Sequence, residues 1–249
     1  MVRFFTALAI SLLICSHSAL GQNEEIVEFD FRVFGVGKDS YEGLFYFSRG
    51  EYLPIAFHRT HRSIETYHYR GPKSLQIFVK NPDYNPTSPS THPYLPIASV
   101  NIGDYSNEML LIFSAAPDNR DVFTTGRRFR IFPLNDDTSY FSSNTIVVLN
   151  ATGARLTGRV AQTRIDLPVG LSQPIPYQGI GNKEQGNLIA FAVETSTGSK
   201  LVMSNEVSLS NNRRILLILE PPRRPGSMRI SARKLTQSVF LPNTQEKQP

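Results

Sequence analysis

From residue 22 onward, apolar and polar positions alternate with a period of two rather than 3.6. Val27, Phe29, Phe31 and Val33 alternate with Glu28, Asp30 and Arg32. Ile64, Thr66 and His68 alternate with Glu65, Tyr67 and Tyr69, and Leu75, Ile77 and Val79 with Gln76, Phe78 and Lys80. The same rhythm returns at Phe129, Ile131 and Pro133, and again at Leu156, Gly158 and Val160. Successive side chains of a strand point to opposite faces, so each stretch predicts a strand with one face in a core. Clusters of Gly, Pro, Asn, Asp and Ser separate them, as expected of a sandwich or barrel. No long window carries a helical stripe. The best candidate, Gln178 to Leu188, is interrupted by glycines. The fold class predicted is all-β, an antiparallel β-sandwich.

Three segments break the alternation: Met109 to Phe113, Ile146 to Leu149, and Ile215 to Leu219 are continuously apolar. A strand apolar on both sides is covered on both sides. Either a second layer, domain interface or subunit interface lies over these strands, or one sandwich exposes some apolar outer surface. Both readings stay open at this point.

The large side chains are unevenly distributed. Between Gln22 and Phe141 there are 21 Phe and Tyr, whereas from Ser142 onward only Tyr177, Phe191 and Phe240 occur. One shared core would mix these types. Two cores, one aromatic and one aliphatic, would sort them. The chain is therefore expected to hold two sandwich domains in tandem, residues 22–136 and 137–241, followed by a disordered tail at 242–249. One larger sandwich is the alternative. Asn81 to Pro96 holds five prolines in 16 residues, which remove amide donors and fix φ. It predicts an extended loop.

Residues 1–21 read as an export signal. Arg3 provides the positive start, Phe4 to Cys15 the apolar run, and Ala19-Leu20-Gly21 the small residues for cleavage before Gln22. The run is too short to span a membrane, and no later segment is suited to it. Cys15 is the single cysteine and leaves with the signal, so the mature chain has no thiol. An exported chain without disulfides is held by its core alone, which fits a periplasmic, surface-associated or secreted bacterial protein.

The full chain of 249 residues carries a formal charge of +5. Arg3 is lost on cleavage, and 25 cations against 21 acids then give +4. Together with export and the lack of aromatics among the basic residues, this argues against a nucleic-acid partner. Basic residues concentrate at two places in the second half, where acids are few. Arg155, Arg159 and Arg164, followed by Arg213, Arg214, Arg223 and Arg224, form a candidate site for an anionic envelope polymer or a protein partner. Solvated edge strands guarded by charge against aggregation explain them more simply. Tyr84, His92 and Tyr94 in the proline-rich loop form a candidate aromatic contact for a sugar.

No Gly-x-Ser-x-Gly elbow, phosphate loop or dinucleotide fingerprint occurs. His58, His61, His68 and His92 lie within 35 residues but lack a completing ligand, so no metal or cofactor is assigned. The acidic loops Asp118 to Asp121 and Asn135 to Asp137 are more simply Asx turns than calcium sites.

The succession Met109 to Phe113, Phe129 to Phe132, Thr145 to Gly153 and Leu167 to Gly170 resembles a pattern in uncharacterised exported bacterial β-proteins over about a quarter of the chain. The resemblance implies no activity and no site residues. The expected function is an exported, non-catalytic structural or binding protein. An envelope-associated hydrolase or carbohydrate-binding accessory is the first alternative, and a metal-binding β-domain the second.

Overall fold

The computed structural model describes residues 25–37, 41–58, 61–103, 107–115, 129–178, 187–207, 209–222, 224 and 226–238. The expected signal at 1–21 and the tail at 242–249 lie outside these residues. Among the described residues every regular element is a strand, and the fold is all-β. The first half contains β1 (Ile26–Gly35), β2 (Leu44–Ser48), β3 (Glu51–Ile55), β4 (Tyr67–Pro72), β5 (Ser74–Lys80), β6 (Tyr94–Asn101), β7 (Glu108–Ala115) and β8 (Phe129–Asn135). The second contains β9 (Thr145–Asn150), β10 (Leu156–Val160), β11 (Thr163–Leu167), β12 (Gly170–Leu171), β13 (Ile175–Pro176), β14 (Asn187–Thr195), β15 (Gly198–Val207), β16 (Arg213–Glu220) and β17 (Ser231–Ser238).

The strands make four open sheets. In the first half the orders are β4-β1-β7-β8 and β3-β2-β5-β6. In the second they are β12-β9-β16-β17, with β13 also on β9, and β11-β10-β14-β15. Reading β1, β2, β3, β4, β5, β6, β7 and β8 as β9, β10, β11, β12/β13, β14, β15, β16 and β17 converts one pair of orders into the other. In each half the only parallel pairing among the described strands joins the first strand to the seventh, β1 to β7 and β9 to β16. The two halves therefore repeat one eight-strand topology, although the sequence shows no repeat at a fixed period.

The sequence repeat is hidden because the two interiors are filled differently. The first packs rings: Phe31 lies edge-on to Tyr46 at 5.1 Å, Phe29 meets Tyr69 at 5.2 Å, and Phe57 meets Phe113 at 4.9 Å. The second packs Ile146, Val148, Leu156, Leu167, Ile215 and Leu217 around Tyr177 and Phe191. Gly158 faces this second core, and a Cβ there would stand 2.2 Å from the Ala190 carbonyl oxygen and 2.6 Å from the Phe191 ring. The missing side chain is what lets Phe191 lie across β10.

A third apolar cluster joins the halves. Leu110 and Ile112 of β7 and Phe34 of β1 meet Val147 and Leu149 of β9 and Leu216 and Ile218 of β16, with Leu134 and Phe141 beside them. The neighbouring residues point the other way: Met109, Leu111 and Phe113 enter the first core, and Ile146, Val148, Ile215 and Leu217 the second. The three apolar runs are thus buried on both faces, and the layer over each is the corresponding sheet of the other half. The unbroken apolar spelling of these strands is required by this sheet-on-sheet joint.

Two details depart from the alternation pattern. The strand expected from Ile64 begins at Tyr67, and Ile64 is 76% exposed. Ser63 is the cause: its amide donates to the Val33 carbonyl at 2.8 Å, while its hydroxyl accepts from the Val33 amide at 3.1 Å. This single residue completes the hydrogen bonding of Val33 and turns the chain out of strand geometry. At the end of β9, Asn150 is fully buried, with Nδ2 donating to the carbonyls of Ala154 and Leu167 at 2.7 and 3.1 Å and Oδ1 accepting from the Thr152 amide at 3.1 Å. It knits the β9–β10 and β11–β12 connections together.

Replacing Phe34, which is fully buried in the joint, should remove about 3–5 kcal/mol of unfolding free energy for Phe34→Ala in denaturant titrations. The exposed control Ile64→Ala should stay within about 0.5 kcal/mol of the parent. At high pH the buried phenols govern stability. Burial pushes the pKa of Tyr46, Tyr67 and Tyr177 upward, and their hydroxyls donate to the carbonyls of His68, Ala56 and Ser210. A folded pKa above the unfolded value of about 10 adds stability that is complete below pH 10 and vanishes as pH rises through the folded values. Melting temperature should therefore fall above about pH 10, in step with phenolate absorbance, and less steeply in Tyr46→Phe.

Candidate functional site

The outward face of β3-β2-β5-β6 is aromatic where an antiparallel sheet facing solvent would ordinarily be polar. The cause is visible in β2, Leu44-Phe45-Tyr46-Phe47-Ser48, which has rings on both faces. Leu44 and Tyr46 are buried in the core, so Phe45 and Phe47 point outward. Their register partners share that face: Tyr52 lies opposite Phe47, Pro54 and Phe78 flank Phe45, and Pro96 and Tyr94 follow on β6. Tyr52 is the hub. It stacks on Tyr94 at 3.9 Å with planes 10° apart, meets Phe78 edge-on at 5.0 Å, and contacts Phe47 at 4.8 Å and the His92 ring at 5.9 Å. Phe45 joins through Tyr94 at 5.1 Å, and the Lys80 ammonium lies 5.9 Å from the Phe45 ring. Phe47 is 42% exposed.

The proline-rich loop borders this face and is internally tied. The Asn81 amide donates to the Pro93 carbonyl, Asn81 Nδ2 to the His92 carbonyl, and Thr91 Oγ1 to the Asn85 carbonyl, all at 2.8–2.9 Å. These bonds hold His92 and Tyr94 in place. Of the three loop residues expected to act together, the structure brings His92 and Tyr94 to one patch, while Tyr84 stays on the loop, 43% exposed. Phe45, Phe47, Tyr52 and Phe78 were not anticipated. The signal for them was the ring on each face of β2, and Phe78 on the polar side of the β5 alternation.

The seven arginines are not one surface. Arg159 and Arg164 are cross-strand neighbours on the outward face of β11-β10-β14-β15, with Arg155 close by. Arg155 is ion-paired with Asp166; the bond lowers the pKa of Asp166 and raises that of Arg155. Arg213 and Arg214 belong to the other sheet of that sandwich, where Arg213 bonds Ser238 Oγ. Arg224 is exposed beyond β16, and Arg223 lies outside the described residues.

Arg214 is a structural residue at the rim of the joint, only 4% exposed. Its Nη1 donates to the Asp136 carbonyl at 2.6 Å and the Phe141 carbonyl at 3.2 Å, and Gln237 Oε1 accepts from Nε and Nη2. The guanidinium lies 5.2 Å from the Phe141 ring. Asp136 is equally buried. Its Oδ2 accepts from Arg62 Nη1, and its Oδ1 stands 3.3 Å from Arg214 Nη2, at ion-pair distance but without hydrogen-bond geometry. One carboxylate from the β8–β9 connection thus holds an arginine from each half. Burial lowers the Arg214 pKa; Asp136 opposes that shift.

The histidines occupy separate places. His58 and His61 stack on each other, His92 serves the loop, and His68 lies between Asp30 and Glu28 at 2.7 and 2.8 Å. Hydrogen bonds from His68 and Arg49 hold the Glu28 carboxyl below its ordinary pKa. Among the described residues no group of three or more His, Cys, Asp and Glu is arranged to hold a metal. Asn135 and Asp137 form Asx turns, accepting from the amides of Asp137 and Ser139, and Asp137 is acidified by the Ser139 bonds. The loop at Asp118 to Asp121 lies outside the described residues.

No protein-family model and no curated protein matches this chain.

Asp136→Ala should cost about 3–5 kcal/mol in denaturant unfolding, because the buried Arg214 guanidinium and the half-buried Arg62 lose their counter-charge. The double variant Asp136→Ala/Arg214→Met should recover part of that loss, which distinguishes charge compensation from lost packing.

Proposed function

We propose that this chain is an exported, non-catalytic binding protein of a bacterial envelope or exterior, and that it holds a glycan on the aromatic face of β3-β2-β5-β6. The observation that carries this reading is the ring cluster of Phe45, Phe47, Tyr52, Phe78 and Tyr94 on a solvent-facing sheet surface. Phe47 is exposed, Phe45, Tyr52 and Tyr94 are half-buried and Phe78 is buried beneath them, and an apolar patch left open to solvent marks a recognition surface. Rings present apolar surface to the C–H faces of a sugar, while tyrosine and histidine add polar tips for its hydroxyls. The hydrogen-bonded loop and the sheet beneath fix the patch in advance, which reduces the ordering cost of binding. The export reading rests on the N-terminal sequence pattern and on the thiol-free mature chain.

Mass spectrometry of protein secreted or fractionated from expressing cells should show a mature N-terminus near Gln22. Co-sedimentation with envelope polysaccharide should be saturable and should weaken about tenfold in Phe47→Ala and in Tyr52→Ala, with an unchanged far-ultraviolet spectrum. Parent-like binding by both variants, or no binding by the parent, overturns the glycan face.

A further inference from the structure

A second site, independent of the aromatic face, lies where the two halves meet. The segment 61–64 of the first half and β17 of the second border a cleft of about 500 Å³. Arg32, Arg62 and Lys234 line it together with Ser63, Thr236 and Gln237, and no carboxylate lines it. Its cations come from three separate parts of the chain: β1, the turn after β3, and β17.

The charges around the cleft do not cancel. Arg62 is paired with Asp136, but Asp136 is shared with Arg214. Arg32 donates to Thr66 Oγ1 at 3.3 Å, and among the described residues neither it nor Lys234 has an acidic partner. Arg214 stands directly behind the wall, since its guanidinium is bound to the Gln237 side-chain oxygen. Arg214 also senses both Arg62 and Arg32 as repelling charges, against the attraction of Asp136 and Glu108. Two arginines and a lysine thus line one crevice, with Arg214 behind its wall, against the two carboxylates Asp136 and Glu108. The low-polarity joint beneath it strengthens the field they produce. Arg62 uses one guanidinium nitrogen on Asp136 and keeps further donors, and a guanidinium fork fits a tetrahedral or planar oxyanion.

We propose that this inter-half cleft binds a small oxyanion group, phosphoryl or carboxyl, through Arg32, Arg62 and Lys234, with Ser63, Thr236 and Gln237 as neutral hydrogen-bonding neighbours. A ligand here would touch both halves at once and bind only the docked arrangement, so its binding energy adds to the stability of the joint.

Calorimetric titration of the mature protein at low ionic strength, with inorganic phosphate in one arm and citrate in the other, tests the site. Saturable binding of phosphate alone identifies a phosphoryl ligand, and of citrate alone a carboxyl ligand. Either should raise the melting temperature. Arg32→Gln and Lys234→Gln involve exposed side chains outside the buried network, so the fold should survive them. Each should weaken binding at least about fivefold. Arg32→Lys should restore part of the loss. Arg164→Gln, on the far outward sheet, should bind as the parent does. The proposal is overturned if neither anion binds saturably, if Arg32→Gln and Lys234→Gln bind as the parent does, or if Arg164→Gln weakens binding as much as they do, since the attraction would then be general surface charge.

Discussion

The architecture depends on sheet-on-sheet contact between β4-β1-β7-β8 and β12-β9-β16-β17. Each of these sheets has one face in its own sandwich core and the other against its counterpart, so Leu110, Ile112, Val147, Leu149, Leu216 and Ile218 are removed from water only when both halves are folded and docked. Separated, each half would expose a row of branched aliphatic side chains on its central strands. That penalty makes the four-layer stack one object. It also sets the polarity elsewhere: the sheets facing outward, β3-β2-β5-β6 and β11-β10-β14-β15, are free of that constraint, and one carries an aromatic face while the other carries arginines.

The buried charge cluster belongs to the same constraint. An apolar joint is tolerant of sliding, because one aliphatic contact differs little in energy from the next. Arg62, Asp136 and Arg214 are less forgiving. A shift that separates the carboxylate from either guanidinium would leave a desolvated charge without a partner. The network contributes less to net stability than to the uniqueness of the docked arrangement, a role for which buried polar groups in other interfaces provide precedent. The cationic excess of the cleft beside it follows from the same arrangement, since one carboxylate serves two arginines and leaves their neighbours uncompensated.

Much of the fold was legible in the sequence because alternation and its absence are direct records of which faces are covered. β1, β5 and β10 follow the spelling, and the three unbroken apolar runs fit either a covering layer or an exposed apolar face, of which the structure shows the first. The spelling does not say which of the two possible layers it is, and a sheet of the same chain satisfies it as well as a second subunit would. The start of β4 was misread at Ile64 because the decisive event is one serine hydroxyl bonding Val33, thirty residues away, which no periodicity encodes. The shared topology was hidden for a related reason: strand order is a property of pairing, and two interiors filled with rings and with aliphatics need have no sequence in common.

The candidate sites were less legible because they depend on register. Arg214 reads as one more surface arginine until β16 is placed against β9, whereupon position 214 falls among residues that are all buried, and only a counter-charge can keep it there. Asp136 supplies that charge from a loop that looks like a simple Asx turn. The aromatic face shows the converse. Tyr84, His92 and Tyr94 look equivalent along the chain, yet the pairing of Lys80 with Tyr94 carries Tyr94 onto the sheet and leaves Tyr84 on the loop. Residue type records what a position is capable of; the partner across the strand decides whether that capacity faces water, a core or a ligand. Among the described residues of these four stacked sheets, the two outermost faces and the seam between the halves are the surfaces left to solvent, and both proposed sites lie there.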